Sequence, residues 1–306
     1  MDIPVVNLAA ESAAADIGEA CRTAGFFTVT NHGVSAALQH DLETLSRDFF
    51  AQDLPTKTRL RMSRAGQALR GYFPVGGELT SGRPDLKEGL YFGKETPAGR
   101  PMHGPNLFPS ETFRTVVLTY MTAMTDLGHR LMSLIALSLG HPADHFQSRY
   151  TNDPFTLFRI FNYPPGDGTD WGVGEHTDYG LLTILKQQTP GLQVKLHNTW
   201  IDVPVEDNTF VCNIGDMLDR LTDGQYRSTP HRVAGQRDSD RLSWPFFFDP
   251  GFDVPFSAVG LTKQTWDGVD PYAFEGTYGD WLTAKVRKVF PELLGTTPGP
   301  GPTAAH

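Results

Sequence analysis

Apolar positions in the first half of the chain alternate between the spacing of strands and that of helices. Residues 3–8, IPVVNL, and 25–33, GFFTVTNHG, form short β-type runs. Residues 11–22 and 35–50 instead repeat apolar side chains at the period of an amphipathic helix. The strongest helical pattern covers residues 110–140, with apolar side chains at Val116, Val117, Tyr120, Met124, Leu127, Leu131 and Leu134. We therefore predict an α/β region followed by one long helix.

From about residue 155 the pattern changes to short β-type runs separated by turn residues. The runs are TLFRIFNYP, LLTILKQQ, LQVKL, WIDVP, TFVCNI, HRVAG and LSWPFFF. Many short strands between turns favour an antiparallel sandwich or barrel over a parallel sheet. A last helix is predicted at 279–290 and a disordered tail at 295–306. The fold class predicted from these patterns is mainly β with flanking helices.

Residues 51–108 are rich in glycine and proline and are predicted to form a long irregular loop. A loop of this length inside a compact chain is usually functional or disordered, and its aromatic residues argue against disorder. We predict one domain over residues 1–306. Its parts are an N-terminal α/β region with the loop (1–108), then the long helix, the β core and the C-terminal helix (109–294).

Composition narrows the setting in which the protein works. The formal charge of −9 argues against nucleic-acid or anionic-membrane partners, which need a basic surface. Two cysteines, Cys21 and Cys212, are too few for a disulfide scaffold and indicate a reducing compartment. The N-terminal residues lack the pattern of a signal peptide, and the most apolar helical run, LMSLIALSLG, is too short to span a membrane. We expect a cytoplasmic protein, a monomer or weak homo-oligomer.

The stretch GEHTDYG, residues 174–180, contains the first candidate for chemistry. His176 and Asp178 are two positions apart, so on a strand they share one face. A facial iron site needs two imidazoles and one carboxylate, with the opposite face open. His231, in RSTPHRVAG, is the candidate for the third ligand. Taken singly, His176 and Asp178 also fit a polar turn ahead of a strand, and His231 also fits a surface histidine in a turn.

A second pair of alternate residues follows ten positions after His231. Arg241 and Ser243, in RLSWPFFFDP, share a strand face by the same argument. A guanidinium is a planar fork suited to a carboxylate, and the hydroxyl adds one donor. The alternative for Arg241 alone is a solvated charge on an edge strand. The combination of His-x-Asp, a distant His and Arg-x-Ser, all on β-type runs, favours a site that binds a metal and an anion.

Several stretches, taken in chain order, resemble one enzyme family. They are IPVVNL, CRTAGFFTVTNHGV, RIFNYPP, HTDYGLLTILKQ, GLQV, WIDVP, NIGDML, TPHRV and RLSWPFFFDP. They are similar to the iron(II)- and 2-oxoglutarate-dependent dioxygenases of the isopenicillin N synthase-like family. GELTSGRPD and HTDYGLL also resemble the bacterial ethylene-forming dioxygenase group. The resemblance implies a double-stranded β-helix, or jelly-roll, core with helices packed outside.

The resemblance also implies cofactors and roles. Fe(II) is expected on His176, Asp178 and His231, and 2-oxoglutarate on Arg241, Ser243 and Tyr163. O2 is the second co-substrate, and oxidation of a C–H bond, most often hydroxylation, releases succinate and CO2. Glu78 and Thr80 match substrate-binding positions of the ethylene-forming group.

The remaining substrate candidates come from the residues themselves. The loop 72–92 is predicted to cover the open mouth of the barrel, and its candidates are Glu78, Arg83, Glu88 and Tyr91. Phe248 is a candidate for the dry wall of the pocket, together with Leu182, Ile184 and Phe246, although all four also fit plain core. An inward Glu78 would favour a cationic or amine-bearing small molecule.

Two other functions fit the sequence. One is an iron-dependent oxidase that keeps the triad without consuming 2-oxoglutarate, against which Arg241 and Ser243 argue. The other is a non-catalytic small-molecule-binding barrel, against which the intact triad argues. A zinc hydrolase fits least, because the pattern offers no separate general base. The substrate, and the choice among hydroxylation, desaturation, ring formation and ethylene formation, do not follow from the sequence.

Overall fold

A computed structural model describes residues 2–80, 83–165, 171–235, 238–256 and 275–290. The predicted alternation of strands and helices at the N-terminus is confirmed. The elements are β1 (Val5–Asn7), α1 (Ala13–Thr23), β2 (Phe26–Thr30) and α2 (Ala36–Phe50). Helix α2 begins after Ser35, whose hydroxyl accepts a hydrogen bond from the backbone N–H of Leu38.

The stretch 51–108 is more regular than predicted. It contains α3 (Leu54–Thr58), a 3-10 helix (Met62–Ala68), β3 (Gly71–Phe73), β4 (Leu79–Thr80), β5 (Arg83–Pro84) and β6 (Glu88–Gly93). Strands β3 and β6 pair with each other and extend the largest sheet. All six residues of β6 are buried, so the strand shows no alternation of apolar and polar side chains. The prediction of one long irregular loop was therefore wrong.

The predicted long helix is confirmed as α4 (Glu111–Ser138). The side chain of Ser110 caps its first turn by accepting a hydrogen bond from the backbone N–H of Phe113. Helix α4 packs against α1, α2 and the outer face of the largest sheet, and a short α5 (His145–Arg149) follows. Helix α4 thus covers one face of the larger sheet, and the candidate site residues lie on the other face.

The second half of the chain contains the predicted short strands. They are β7 (Phe155–Tyr163), β8 (Val173–His176), β9 (Leu182–Gln187), β10 (Leu192–Leu196), β11 (Thr199–Asp202), β12 (Phe210–Ile214), β13 (His231–Val233), β14 (Arg241–Asp249), β15 (Pro255–Phe256) and β16 (Gly276–Thr277). Helix α6 (Asp216–Leu221) follows β12, and α7 (Tyr278–Val289) is the predicted C-terminal helix. The predicted tail, 295–306, lies outside the described residues.

Two sheets face each other and form a jelly roll. The larger has the order β1-β2-β12-β9-β14-β7-β6-β3, and the smaller has the order β11-β10-β13-β8. Apart from the parallel pair β1–β2, neighbouring strands in these two sheets are antiparallel. Side chains from both sheets line one cavity between them. The described helices do not combine the length and apolarity that a membrane span requires.

Alternation along β14 separates the core from the cavity. Arg241, Ser243, Pro245, Phe247 and Asp249 line the cavity, and the residues between them point toward the layer of helices α2 and α4. Phe248 belongs to this second set. Its ring meets that of His129 at 5.0 Å between centroids, and it is 0% exposed.

Candidate active site

The cavity between the sheets has a volume of about 460 Å³. Strands β7, β9 and β14 of the larger sheet form one wall, and β8 and β13 of the smaller sheet form the other. Strand β4 and helix α7 close its side. The volume lies in the lower part of the usual range for small-molecule sites, about 300–1,000 Å³.

The three candidate metal ligands meet in this cavity. His176 ends β8, and His231 begins β13 directly opposite in the antiparallel register. The Nε2 atoms of His176 and His231 lie 3.9 and 3.8 Å from Oδ1 of Asp178. The possible ligand atoms all lie within 4.8 Å of one another. Two ligands about 2.0–2.2 Å from one ion and at right angles would lie about 3 Å apart, so the three atoms surround one point and would move closer by about 1 Å to hold a metal.

Both imidazoles are held with Nε2 toward this common point. Nδ1 of His176 lies 2.8 Å from the carbonyl oxygen of Gly174, and Nδ1 of His231 lies 3.1 Å from that of Thr229. A carbonyl can only accept, so each Nδ1 carries a proton, and in the neutral imidazole Nε2 then keeps the lone pair that a metal needs. Burial, followed by the neighbouring His231, lowers the pKa of His176 to about 4. His176 is therefore neutral, as a metal ligand must be.

The carboxylate of Asp178 is oriented by two hydrogen bonds. Its Oδ2 accepts from the hydroxyl of Thr183 at 2.5 Å and from the amide of Asn213 at 2.7 Å. Oδ1 is left toward the two imidazoles. Burial opposes the charge of Asp178, but the two imidazoles and these hydrogen bonds together hold its pKa below the ordinary value. The group is thus a carboxylate with one oxygen oriented toward a metal.

Arg241 shows the properties of an anion site. It is 2% exposed, and its Nε and Nη1 have no hydrogen-bond partner among the described residues. Nη2 donates to Oε1 of Gln187 at 3.3 Å, and the guanidinium carbon lies 5.0 Å from the ring centroid of Tyr163. Ser243 follows on the same face and lines the same cavity. A buried guanidinium with free donors fits one end of a dicarboxylate such as 2-oxoglutarate.

The predicted substrate residues divide into those that line the cavity and those that do not. Glu78 and Thr80 line it. Tyr91 lies behind Glu78 and donates its hydroxyl hydrogen to Oε1 of that residue at 2.6 Å. The prediction that Phe248 lines the pocket is wrong, because strand alternation turns its ring toward α4. The dry-wall candidates Leu182, Ile184 and Phe246 are likewise buried in the core and do not line the cavity.

Two other candidates from the loop 72–92 lie elsewhere. Arg83 is exposed on β5. Glu88 is buried away from the cavity, where it accepts hydrogen bonds from Lys57 at 2.8 Å, Tyr72 at 2.6 Å and Asn162 at 3.0 Å. These three donors give both oxygens of the Glu88 carboxylate hydrogen-bond partners inside the fold.

Several polar residues near the site were missed by the sequence analysis, including Thr183, Asn213, Gln187 and Arg159. Thr183 and Asn213 support Asp178, Gln187 contacts Arg241, and Arg159 lines the cavity. Each is a polar residue inside an apolar strand, and three of them lie on cavity-lining positions of their strands. A polar side chain at an inward position of a barrel strand was the signal that could have identified them.

Family models match both halves of the chain. Residues 3–111 match the N-terminal region of non-haem dioxygenases in morphine synthesis, and residues 143–250 match the 2OG-Fe(II) oxygenase superfamily. A Dictyostelium discoideum protein named "probable iron/ascorbate oxidoreductase" is 47% identical, with 91% of this chain and 89% of the relative covered. A homoarginine-6-hydroxylase of Oryza sativa subsp. japonica is 35% identical, with 88% and 87% covered.

A solved structure is similar over nearly the whole chain. A Neurospora crassa protein, crystallised in complex with α-ketoglutarate (2-oxoglutarate), aligns with a TM-score of 0.77 and 26% identity. The alignment covers 93% of this chain and 95% of that one. Together with the relatives and the triad geometry, it establishes the reaction class, the iron and the keto-acid co-substrate. The chain belongs to the 2OG-Fe(II) oxygenase superfamily and is a 2-oxoglutarate-dependent dioxygenase that oxidises a C–H bond of a small molecule.

Proposed function

We propose that this dioxygenase hydroxylates an aliphatic C–H bond of a small free α-amino acid. The proposed ligands are His176, Asp178 and His231 for Fe(II), and Arg241, Ser243 and Tyr163 for 2-oxoglutarate. One observation supports the assignment of these ligands to Fe(II) and 2-oxoglutarate. Three oriented ligand atoms converge at one place in the cavity, and a buried guanidinium with two nitrogen atoms free of hydrogen bonds to described residues opens into the same space.

When bound, Fe(II), 2-oxoglutarate and O2 place one oxygen atom in the substrate C–H bond and the other in succinate, with loss of CO2. The chain's own part is binding and orientation. His176, Asp178 and His231 would hold the metal by two imidazoles and one carboxylate and would leave the remaining positions to the keto acid and O2. Arg241 fixes the distal carboxylate of the keto acid and so its direction in the cavity. Apolar side chains between the polar groups, such as Leu157, Phe161 and Leu185, exclude water.

The substrate class is supported by two charged residues of the cavity wall. Glu78 and Arg159 place a carboxylate and a guanidinium there. A small cavity with charged groups of both signs favours a compact polar molecule over a large apolar one. The name of the rice relative, a homoarginine-6-hydroxylase, makes L-homoarginine the first compound to test.

The test is succinate release with Fe(II), 2-oxoglutarate and O2, with and without L-homoarginine. We expect stimulation by the amino acid and a product heavier by one oxygen atom in mass spectrometry. Asp178→Asn is the inactive control, because it removes the charge of one ligand. If L-homoarginine and a panel of the common amino acids all leave succinate release at its uncoupled level, the proposed substrate class is wrong.

We also propose that residues 1–306 work as one domain, in the cytoplasm, as a monomer or weak homo-oligomer without nucleic-acid or membrane partners. One hydrophobic cluster contains residues from Val6 to Phe290, which supports a single domain. Both cysteines are free and buried, and the formal charge is −9, which supports the other assignments. Light scattering after size exclusion tests the oligomeric state; a stable tetramer would contradict it.

A further inference from the structure

Arg159 is a largely buried cation of the cavity wall that the metal and co-substrate sites leave unused. It lies on β7, four residues before Tyr163 and on the same face of the strand. Its guanidinium carbon lies 4.3 Å from the ring centroid of Tyr91 and 4.7 Å from that of Phe247. Aromatic rings next to a guanidinium prefer its flat faces. Its hydrogen-bonding edge is therefore the part left for a ligand.

The guanidinium of Arg159 is short of hydrogen-bond acceptors. A guanidinium has five N–H donors. The side chain is 16% exposed, and its Nε has no partner within the described part of the chain. Nη1 lies 3.5 Å from Oε1 of Glu78, longer than the roughly 2.7–2.9 Å of a charge-assisted hydrogen bond. A buried group with unused donors is suited to an acceptor that arrives with the ligand.

Glu78 has the complementary capacity to accept. Its Oε1 accepts from the hydroxyl of Tyr91, and its Oε2 lies 2.8 Å from Nζ of Lys87. A carboxylate has about four acceptor positions, so these two contacts do not exhaust it. Lys87 is shared with Asp85, whose Oδ2 lies 2.5 Å away. The cluster of Glu78, Asp85, Lys87 and Arg159 has two acids and two bases, and a head group of zero net charge preserves this balance.

A free α-amino acid carries both charges that the wall needs. Its ammonium and carboxylate are attached to one carbon, so donor and acceptor are as close together as Glu78 and Arg159 are. A simple amine would add a positive charge beside Lys87 and Arg159 and bring no carboxylate to offset it. A simple acid would add a negative charge beside Glu78 and Asp85 and bring no ammonium to offset it. Burial makes such mismatches costly.

We propose that Glu78 and Arg159 form a head-group clamp for a free α-amino acid. Arg159 holds the α-carboxylate, Glu78 holds the α-ammonium, and the side chain of the substrate extends toward the metal triad. The clamp rests on the proposed function and names the part of the substrate that is recognised. Arg159 and the strand partner of Arg241, Tyr163, are four residues apart, about 13 Å along β7. The carboxylates of substrate and 2-oxoglutarate are thus held by different arginines.

The experiment is calorimetric binding to the enzyme loaded with Fe(II) and 2-oxoglutarate, without O2. The probes are L-homoarginine, its decarboxylated amine and its deaminated acid. We expect the wild type to bind L-homoarginine on the order of 100-fold more tightly than either probe that lacks one head group. This comparison needs no variant and so does not depend on the folding of one.

Variants then identify which residue reads which group. Arg159→Gln is expected to weaken L-homoarginine on the order of 100-fold while changing the decarboxylated amine by less than about threefold. Glu78→Gln is expected to weaken L-homoarginine similarly while sparing the deaminated acid. Arg159→Lys, which keeps the charge and loses the fork, is expected to restore binding in part. Glu88→Gln, a buried glutamate outside the cavity, is the matched control and should leave all three affinities unchanged.

The outcomes separate the clamp from the proposed reaction. Equal affinity of the wild type for the three probes, or equal losses for all three in Arg159→Gln, overturns the clamp. If L-homoarginine does not bind, L-arginine, L-lysine and L-norleucine are titrated with the same variants, and failure of every free amino acid also overturns it. If amino acids bind through the clamp but are not oxidised, the clamp stands and the proposed hydroxylation is wrong.

Discussion

Two parts of the cavity wall are built in different ways. They are the metal end, around His176, Asp178 and His231, and the proposed substrate end, around Glu78. At the metal end, the ligands and Arg241 lie at or beside the ends of strands that are paired in the two sheets. At the substrate end, Glu78 and Thr80 belong to β4 or precede it, a strand of two residues, and the side is closed by α7. Long paired strands fix the position of a side chain more firmly than short ones. The iron site thus rests on the sheets, and the proposed substrate contacts rest on shorter elements.

The hydrogen bonding of the two ends also differs. Each metal-binding side chain has a second partner that orients it: a carbonyl for each imidazole, and Thr183 and Asn213 for Asp178. Arg241 and Arg159 both keep unpartnered N–H groups among the described residues. Side chains that a second partner orients are typical of a metal site. Buried guanidinium groups with unused donors are typical of a site that binds a carboxylate.

The largest expected effect is at the metal end, in His231→Ala. Removing one of three ligands leaves too few for a facial site, so iron binding and succinate release should both be lost. Titration of the apoprotein with Fe(II) and the succinate assay measure this. His141→Ala, which changes an exposed histidine, is the control and should behave as the wild type. Retained iron affinity in His231→Ala would mean that the triad has been misassigned.

A smaller effect is expected from Arg241→Gln at the co-substrate position. Loss of one partner of a buried charge pair costs about 2–5 kcal/mol, so KM for 2-oxoglutarate should rise roughly 30-fold to 4,000-fold. Fe(II) affinity should stay near that of the wild type, because Arg241 is not a ligand. Arg159→Gln, the other arginine of the wall, should leave this KM almost unchanged. Similar KM increases in the two variants would remove the distinction between the two ends.

Thr183→Val is expected to act more weakly on the metal. The substitution keeps the shape of the side chain and removes the hydroxyl that donates to Asp178. Groups that orient a ligand typically contribute about 10–100-fold to metal affinity or activity. The Fe(II) dissociation constant measures the loss. Thr156→Val, a buried threonine of β7 outside the cavity lining, serves as control; an equal change there would point to general destabilisation.

The smallest expected effect on turnover comes from Glu88→Gln, because this substitution changes the free energy of unfolding and not the cavity. It leaves Lys57 buried without its carboxylate, and such a loss costs about 3–5 kcal/mol in the free energy of unfolding. In Glu78→Gln, Lys87 keeps Asp85, so stability should fall less while amino-acid binding falls more. Denaturant unfolding and calorimetric binding measure the two quantities. If Glu88→Gln weakened substrate binding and Glu78→Gln did not, the two glutamates would have exchanged roles.

Much of the fold was predictable from local patterns. The helix at 110–140 and the strands after 155 have clear apolar periods, and the structure contains both. Strands β3 and β6 were not predicted, because a short strand buried on both faces has no alternating pattern. The predicted triad residues converge because alternation places His176 and His231 on inward positions of paired strands.

The substrate end was harder to predict because contacts there come from distant parts of the chain. Glu78 and Glu88 look alike in the sequence, and each has a lysine and a tyrosine as partners in the structure. Only one lines the cavity. The face taken by Phe248 likewise depends on which side of β14 packs against α4, a fact of assembly and not of local propensity.

The order of residues along the chain was sufficient for the reaction class, because its motifs resemble one enzyme family. Strand alternation accounts for the shared face of Arg241 and Ser243, whereas Asp178 lies two residues beyond the end of β8. Folding alone brought Arg159 beside Glu78, turned Phe248 into the core and left guanidinium donors open to the cavity. Periodicity specifies which side chains share a face. It does not specify what lies opposite that face, because the packing of sheets and helices depends on contacts between residues far apart in sequence.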